Sequence, residues 1–145
     1  MAAGQWVIYN EYKATLGLKA LNMNTDAFKV ALFLSTSNAG NAALSVAQYA
    51  TLTNQHANGN GYLTGGVACA PTYSQTGGTA TFDTADATWT ASGGSIVARF
   101  GVLYDDTSTN KDLVAYFLLD ATPADVTTTT GNTLTIQIAN VFTLT

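Results

Sequence analysis

Residues Ser95–Asp120 read SIVARFGVLYDDTSTNKDLVAYFLLD, in which two apolar runs flank a short polar segment. The runs, Ile96–Tyr104 and Leu113–Leu119, have the length and the β-branched and aromatic content of strands. The polar segment between them, Asp105–Asp112, has the composition of a turn. Both runs are apolar at consecutive positions, a pattern typical of strands that are covered on both faces. The segment therefore predicts a hairpin at the centre of the fold.

The rest of the chain adds short strands separated by turns. Apolar patterning predicts further strands over residues 27–35, 62–73, 79–83, 87–91, 133–138 and 141–145. About eight strands, with turns at short intervals and without βαβ spacing, predict a mainly β chain that forms an antiparallel β-sandwich or jelly-roll-like fold. Residues 42–51 have the apolar spacing of one short second helix.

The N-terminal residues Gly4–Ala20 have the pattern of a helix. Apolar side chains recur there at intervals of three and four residues, which places them on one helical face. Two interpretations stay open: the helix covers an end of the β core, or it is an arm that docks on a partner subunit. The predicted organisation is an N-terminal helical arm, residues 1–21, followed by a β-sandwich domain, residues 22–145. The side chains on the predicted contact face are Trp6, Tyr9, Tyr12 and Leu16.

The composition is poor in charge. Of the 145 residues 10% are charged, whereas about a quarter is usual in soluble proteins. The five Lys and Arg residues are scattered, so binding to nucleic acid or to a membrane surface is disfavoured. No transmembrane run and no secretory signal are expected. The single cysteine, Cys69, is expected in the core of a protein assembled in a reducing cytoplasm.

The long segment Thr36–Gly61 is irregular and rich in Asn and Gly, which is typical of a contact loop. It holds the single histidine, His56, which we expect to be exposed to solvent. We interpret His56 and Tyr62 as partner contacts. We predict no catalytic residue, because the acids, including Asp83 and Asp86, lie at strand ends and turns, where Asp bonds nearby backbone amides.

The polar segment of the central hairpin carries oxygen-bearing side chains at alternate positions, as the first part of an EF-hand loop does. It differs from that loop because Lys111 stands where the loop needs Gly and no bidentate Glu follows. We therefore predict a polar turn without a metal or cofactor, and calcium binding is the alternative. The candidate ligands are Asp106, Ser108, Asn110 and Asp112.

Several short motifs occur along the chain in a recognisable order. They are Tyr9-x-x-Tyr12-Lys13, Asp26-x-Phe28-Lys29-Val30-Ala31-Leu32, Gly61-Tyr62, Phe82-Asp83, Ala87–Ser92, Leu103-Tyr104-Asp105, Asn132-x-Leu134-x-Ile136 and Phe142-x-Leu144. In this order they resemble a family of small virion proteins of tailed bacteriophages, over nearly the whole chain. The matched positions are core and turn positions, so the resemblance assigns no functional residue.

The resemblance implies a non-enzymatic structural protein of a phage virion that is assembled in the host cytoplasm. Within that class we expect a capsid decoration or cement protein, which binds the lattice of the major capsid protein and neighbouring copies of itself as a homo-oligomer. The alternatives are a tail or fibre component with a receptor- or glycan-binding β-sandwich, and a small carbohydrate-active enzyme. The scarcity of charge favours protein interfaces, because few ions are desolvated there.

Overall fold

The computed structural model describes residues 4–18, 21–122 and 124–145, and it is mainly β. The helical part of the described chain is one short helix, α1 (Asn10–Thr15), and three single 3₁₀ turns at Leu16–Leu18, Asn38–Gly40 and Tyr49–Thr51. The strands are β1 (Val7–Ile8), β2 (Phe28–Phe33), β3 (Val67–Cys69), β4 (Pro71–Thr76), β5 (Thr79–Thr84), β6 (Ala87–Thr90), β7 (Ile96–Ala98), β8 (Phe100–Asp105), β9 (Leu113–Leu118), β10 (Val126–Thr128), β11 (Thr133–Ile136) and β12 (Phe142–Leu144).

The strands form antiparallel sheets, and the predicted β-sandwich-like class is confirmed. The larger sheet has the strand order β1-β9-β8-β2-β3. A three-stranded sheet, β12-β5-β4, packs against it, and the other described strands form the two-stranded ladders β11-β6 and β10-β7. Aromatic rings pack between the layers: the ring centroids of Phe28 on β2 and Phe82 on β5 are 5.1 Å apart.

The hairpin β8–β9 lies in the middle of the larger sheet, as the apolar runs predict. Every residue of β8 is buried, and the register runs from Phe100–Leu118 to Tyr104–Leu113. The long segment 36–61 covers part of this sheet, because the ring of Tyr49 lies 4.5 Å from the ring of Tyr104. The segment that the sequence marks as a contact loop thus helps to bury the central strands.

The predicted helix over Gly4–Ala20 is wrong in its extent. The described part is a short strand, a six-residue helix and a 3₁₀ turn, and Lys19–Ala20 lie outside the described residues. The strand forms because Val7 and Ile8 pair with β9, opposite Tyr116 and Ala115. These backbone hydrogen bonds, together with two β-branched side chains, outweigh the local helical spacing.

The aromatic residues of this N-terminal segment enter the chain's own core. Tyr9 is 0% exposed, and its hydroxyl donates to the carbonyl oxygen of Ala39 at 2.6 Å. Tyr12 is 1% exposed, and its ring lies 6.2 Å from that of Phe142 on β12. This corrects the interpretation that Tyr9 and Tyr12 dock on a partner subunit, since the core of the β domain already holds them.

Two other segments differ from the sequence prediction. Residues 42–51 form no α-helix and contribute only the 3₁₀ turn at Tyr49–Thr51. The Thr-rich connection after Asp120 contains the unpredicted strand β10, which pairs with β7 through Val126–Ala98 and Thr128–Ile96. Tertiary pairing, which local composition does not encode, fixes both segments. The helices in the described ranges are too short and polar to cross a membrane.

Candidate interaction groove

One open groove, with a volume of about 670 Å³, lies between the N-terminal segment and the last strands of the chain. Its lining combines apolar side chains with polar groups, and the described residues that line it are all neutral. Amide side chains from both ends of the sequence are the principal polar groups. The lining residues are Gly4, Gln5, Trp6, Phe117, Leu119, Val126, Leu134, Thr135, Ile136, Gln137, Ala139, Asn140 and Val141.

The first wall is built around Trp6, which immediately precedes β1. The backbone N–H of Gly4 donates to the carbonyl of Leu118 at 2.9 Å, and β1 pairs with β9, so both sides of Trp6 are anchored. The half-buried indole lies 4.5 Å from the Phe117 ring at an interplanar angle of 59°. Gly101 makes room for that ring, because a Cβ there would stand 2.2 Å from it.

The opposite wall comes from β11 and the residues after it. Two carboxylates hold the backbone of this wall: Asp86 accepts from the N–H of Ile138 at 2.8 Å, and Asp83 from that of Asn140 at 3.1 Å. The predicted bond to a nearby amide is present for Asp83, which also accepts from the N–H of Thr84 at 2.8 Å, whereas the bonds to Ile138 and Asn140 join distant parts of the chain. Both carboxylates therefore hold the backbone of this wall in place through hydrogen bonds.

Of the six predicted contact residues, only Trp6 lines this groove. Leu16 is half-buried and packs against the core. Tyr62 is 0% exposed, and its hydroxyl accepts from Gln55 Nε2 at 2.6 Å and from the N–H of Leu32 at 3.1 Å. The interpretation of Tyr62 as a partner contact is corrected, because it ties the segment 36–61 to β2.

His56 is also largely buried, and the expectation that it is exposed to solvent is wrong. It is 9% exposed, and its ring lies edge-on to the Tyr62 ring at 5.2 Å. Burial lowers the pKa of His56, so the imidazole is neutral at pH 7. Because the His56 ring packs against the Tyr62 ring, little of its surface is accessible to a partner.

The tip of the central hairpin does not fit a calcium site. Asp106 forms ion pairs with Lys29, at 2.8 Å, and with Lys111, and these contacts lower its pKa. The Ser108 hydroxyl accepts from the N–H of Asp112 at 2.8 Å. Two ammonium groups thus stand where a cation would bind. Among the described residues, no group of three His, Cys, Asp or Glu side chains gathers as a metal site.

Lys111 stands where an EF-hand loop has glycine, and its φ is +51°. It therefore adopts the left-handed backbone of the turn despite its side chain. The polar-turn interpretation of Asp106, Ser108, Asn110 and Asp112 agrees with these contacts.

Asp105, at the end of β8, is an ionisable group fully inside the fold. It is 0% exposed, and its Oδ1 accepts from the backbone N–H groups of Thr107, at 2.8 Å, and Ser108, at 3.1 Å. Its Oδ2 has no hydrogen-bond partner among the described residues. Burial raises the pKa of Asp105 to about 6, and the nearby carboxyl of Asp26 adds to the rise.

Asp105→Asn is expected to raise the melting temperature at pH 7. A carboxyl whose pKa is raised in the folded state stabilises the fold fully below its unfolded pKa, near 3.8, and loses that contribution as the pH rises through about 6. The variant removes the charge and keeps Oδ1 as an acceptor, so we expect a gain of about 2 kcal/mol, or roughly 5 °C, at pH 7.

Thermal unfolding of both proteins between pH 4 and 7.5 measures this effect. The gain should shrink towards pH 4, where Asp105 is protonated in the wild type. Asp120→Asn is the control, because hydrogen bonds from Thr122 lower the pKa of Asp120 and so favour its charged form. Removing the charge of Asp120 should therefore not raise the melting temperature at pH 7. A gain for Asp105→Asn that is equal at pH 4 and pH 7 would contradict the buried-charge account.

Comparison of the chain with protein-family models, with curated proteins and with solved structures gave no match.

Proposed function

We propose that this chain is a non-enzymatic structural protein of a phage virion, a capsid decoration or cement protein that binds and stabilises the major capsid protein lattice. The observation that carries the proposal is the neutral, open groove beside Trp6. The phage particle as the location rests on the resemblance of the sequence motifs to small virion proteins.

The groove has the chemistry of a protein contact. Trp is among the residues that contribute most to protein interfaces, and the Trp6 indole is fixed by the strand after it and by the Phe117 ring. A fixed ring loses little conformational entropy when a partner covers it. Because the lining is neutral, an apolar side chain of the capsid protein can enter without desolvating an ion.

A tail or fibre component that binds a glycan is the second candidate, and one observation favours it. A half-buried aromatic ring in a groove that also carries amide side chains, here Trp6 with Gln5, Gln137 and Asn140, can stack on a sugar ring while the amides bond its hydroxyls. The two candidates use the same residues, so the ligand distinguishes them.

Trp6→Ala and Gln137→Lys are expected to weaken binding to phage particles that lack this protein by about 30-fold or more. The first variant removes the anchored ring, and the second places a charge in the neutral groove at an exposed position. Binding is measured by co-sedimentation of the purified protein with the particles over a range of concentrations, with thermal unfolding to show that each variant is folded.

Asn24→Lys is the matched control, because Asn24 is exposed and lies outside the groove lining. It adds the same charge and should bind as the wild type does. Undiminished binding by a folded Gln137→Lys variant would overturn the groove as the contact. Binding to a host glycan that Trp6→Ala abolishes, without binding to the particles, would favour the second candidate.

A further inference from the structure

The strand β4 (Pro71–Thr76) is the outer strand of the three-stranded sheet. It pairs with β5 along its whole length, from Pro71–Thr84 to Thr76–Thr79, and with no second strand in the described chain. Its last five residues are exposed. One edge of a six-residue strand therefore presents its backbone to the surroundings.

The direction of the free backbone groups follows from the neighbouring strand. The carbonyl of Phe82 on β5 accepts from the N–H of Val141 at 2.9 Å, so the backbone groups of Phe82 face β12. Tyr73 of β4 is paired with Phe82 of β5. This is a non-hydrogen-bonded pair, in which the backbone groups of the two residues point away from each other. The N–H and C=O of Tyr73 therefore point out of the sheet, and by alternation those of Gln75 do as well.

A second hydrogen bond agrees with this alternation. The N–H of Ala85 donates to the carbonyl of Ala70 at 2.8 Å, so this pair is hydrogen-bonded across the hairpin. Pairs two residues further along share that arrangement, which makes Ser74 hydrogen-bonded to β5. Ser74 thus lies between two residues, Tyr73 and Gln75, that offer free donors and acceptors.

Natural edge strands usually carry protection against pairing, such as lysines, bulges or central prolines. This strand has the sequence PTYSQT, which contains no charge, and its proline stands at the first position. Its register with β5 is regular over all six pairs. The strand is therefore open to the addition of another strand.

We propose that β4 pairs antiparallel with β4 of a second copy of this chain, about a two-fold axis at Ser74. In this register each Tyr73 lies opposite Gln75 of the other copy, and all their outward N–H and C=O groups bond in pairs. A register centred on Tyr73 would set Gln75 opposite Pro71, which has no N–H to donate, and one centred on Gln75 would set Tyr73 opposite Gly77, outside the strand. The self-pairing makes one continuous sheet of β12-β5-β4 from both copies.

A second copy is favoured over another partner because the strand is self-complementary. The strand β4 carries no charged side chain, so pairing with its own copy sets no like charges opposite each other and desolvates no ion. Thr side chains already pair across strands elsewhere in the fold, as Thr88 and Thr135 do at 3.3 Å. The proposed pair sets Thr72 opposite Thr76 in the same way. This contact between copies is separate from the groove, whose lining contains no residue of β4.

Ser74→Cys is expected to form a disulfide-linked dimer under mild oxidation. Residues in a pair without backbone hydrogen bonds lie close together, at about 4.5 Å between Cα atoms, which a disulfide can span. The native Cys69 does not compete, because it is buried and burial raises its pKa to about 11. Non-reducing gel electrophoresis of the dilute protein measures the dimer.

Thr72→Cys is the matched control, since it is exposed on the same face of the same strand. The register keeps the two copies of position 72 about 13 Å apart, so this variant alone should not cross-link. A mixture of Thr72→Cys and Thr76→Cys should cross-link, because these positions lie opposite each other. Equal cross-linking of Ser74→Cys and Thr72→Cys, or none in either, would overturn the proposal.

Gln75→Pro tests the same contact without cysteine chemistry. It removes an N–H that the single chain does not use, so the fold should persist. Each variant dimer loses two backbone hydrogen bonds, and its dissociation constant, from sedimentation, should rise at least about tenfold. A wild type that stays monomeric, or a dimer that Gln75→Pro leaves unchanged, would also overturn the proposal.

Discussion

Gly66→Ala is expected to remove a large part of the stability of the fold. Gly66 has a φ of +79°, and a Cβ there would lie 1.8 Å from the carbonyl oxygen of Val30 and 2.8 Å from the Cα of Ala31. Both atoms belong to the backbone of β2, which pairs with β8 and β3. Relief of the clash must displace a central strand, so we expect a loss of about 4 kcal/mol or more, against a typical total of roughly 5–15 kcal/mol.

Gly93→Ala separates the clash from the strain of the backbone conformation. Gly93 has the same φ of +79°. A Cβ placed there would have no described heavy atom within 4 Å, apart from those of Gly93 and its two chain neighbours. We expect it to cost about 1 kcal/mol, the price of the left-handed conformation alone. Urea unfolding of the three proteins gives both values. Similar losses for Gly66→Ala and Gly93→Ala would contradict the close approach of residue 66 to β2.

Deletion of residues 1–21 is expected to abolish cooperative folding. The described part of this segment contributes the edge strand β1 and the buried rings of Tyr9 and Tyr12. Glu11 also accepts a hydrogen bond from the backbone N–H of Ala47, which lies in the segment that covers the larger sheet. Loss of two buried aromatic side chains alone costs about 3–5 kcal/mol each. The sum approaches the whole stability of a typical domain.

Circular dichroism and amide hydrogen exchange of the truncated protein measure this outcome. Tyr12→Phe is the mild counterpart, since the Tyr12 hydroxyl is buried without a hydrogen-bond partner among the described residues, and its removal should not destabilise the protein. A truncated protein that unfolds cooperatively, within about 1 kcal/mol of the full chain, would restore the interpretation of residues 1–21 as a separable arm.

The central hairpin could be predicted from the sequence because its signal is local. Every residue of β8 is buried, and so are Leu113–Ala115 and Phe117 of β9, as strands covered on both faces require. The first apolar run is not one strand, because Ile96–Ala98 form β7, which pairs with β10. The role of Asp83 was predictable only in part. Its bond to the N–H of Thr84 is local, but the bonds of Asp83 to Asn140 and of Asp86 to Ile138 join distant parts of the chain.

The N-terminal segment and the groove could not be predicted in this way. The spacing of Trp6, Tyr9 and Tyr12 suits a helix, but β1 exists because β9 lies beside it, and that pairing joins distant parts of the chain. The groove likewise combines Trp6 with Phe117 and Leu134. The alternation in β11 predicts that Leu134 faces inward, but it carries no information on how completely that face is covered.

The most direct test of the proposed function is the number of copies of this chain per major capsid protein in purified phage particles. Quantitative mass spectrometry of washed particles measures the ratio, and cryo-electron microscopy locates the copies. A decoration protein predicts a fixed ratio comparable to the copy number of the capsid protein, with density on the capsid surface. A handful of copies per particle, or none, would contradict the proposal.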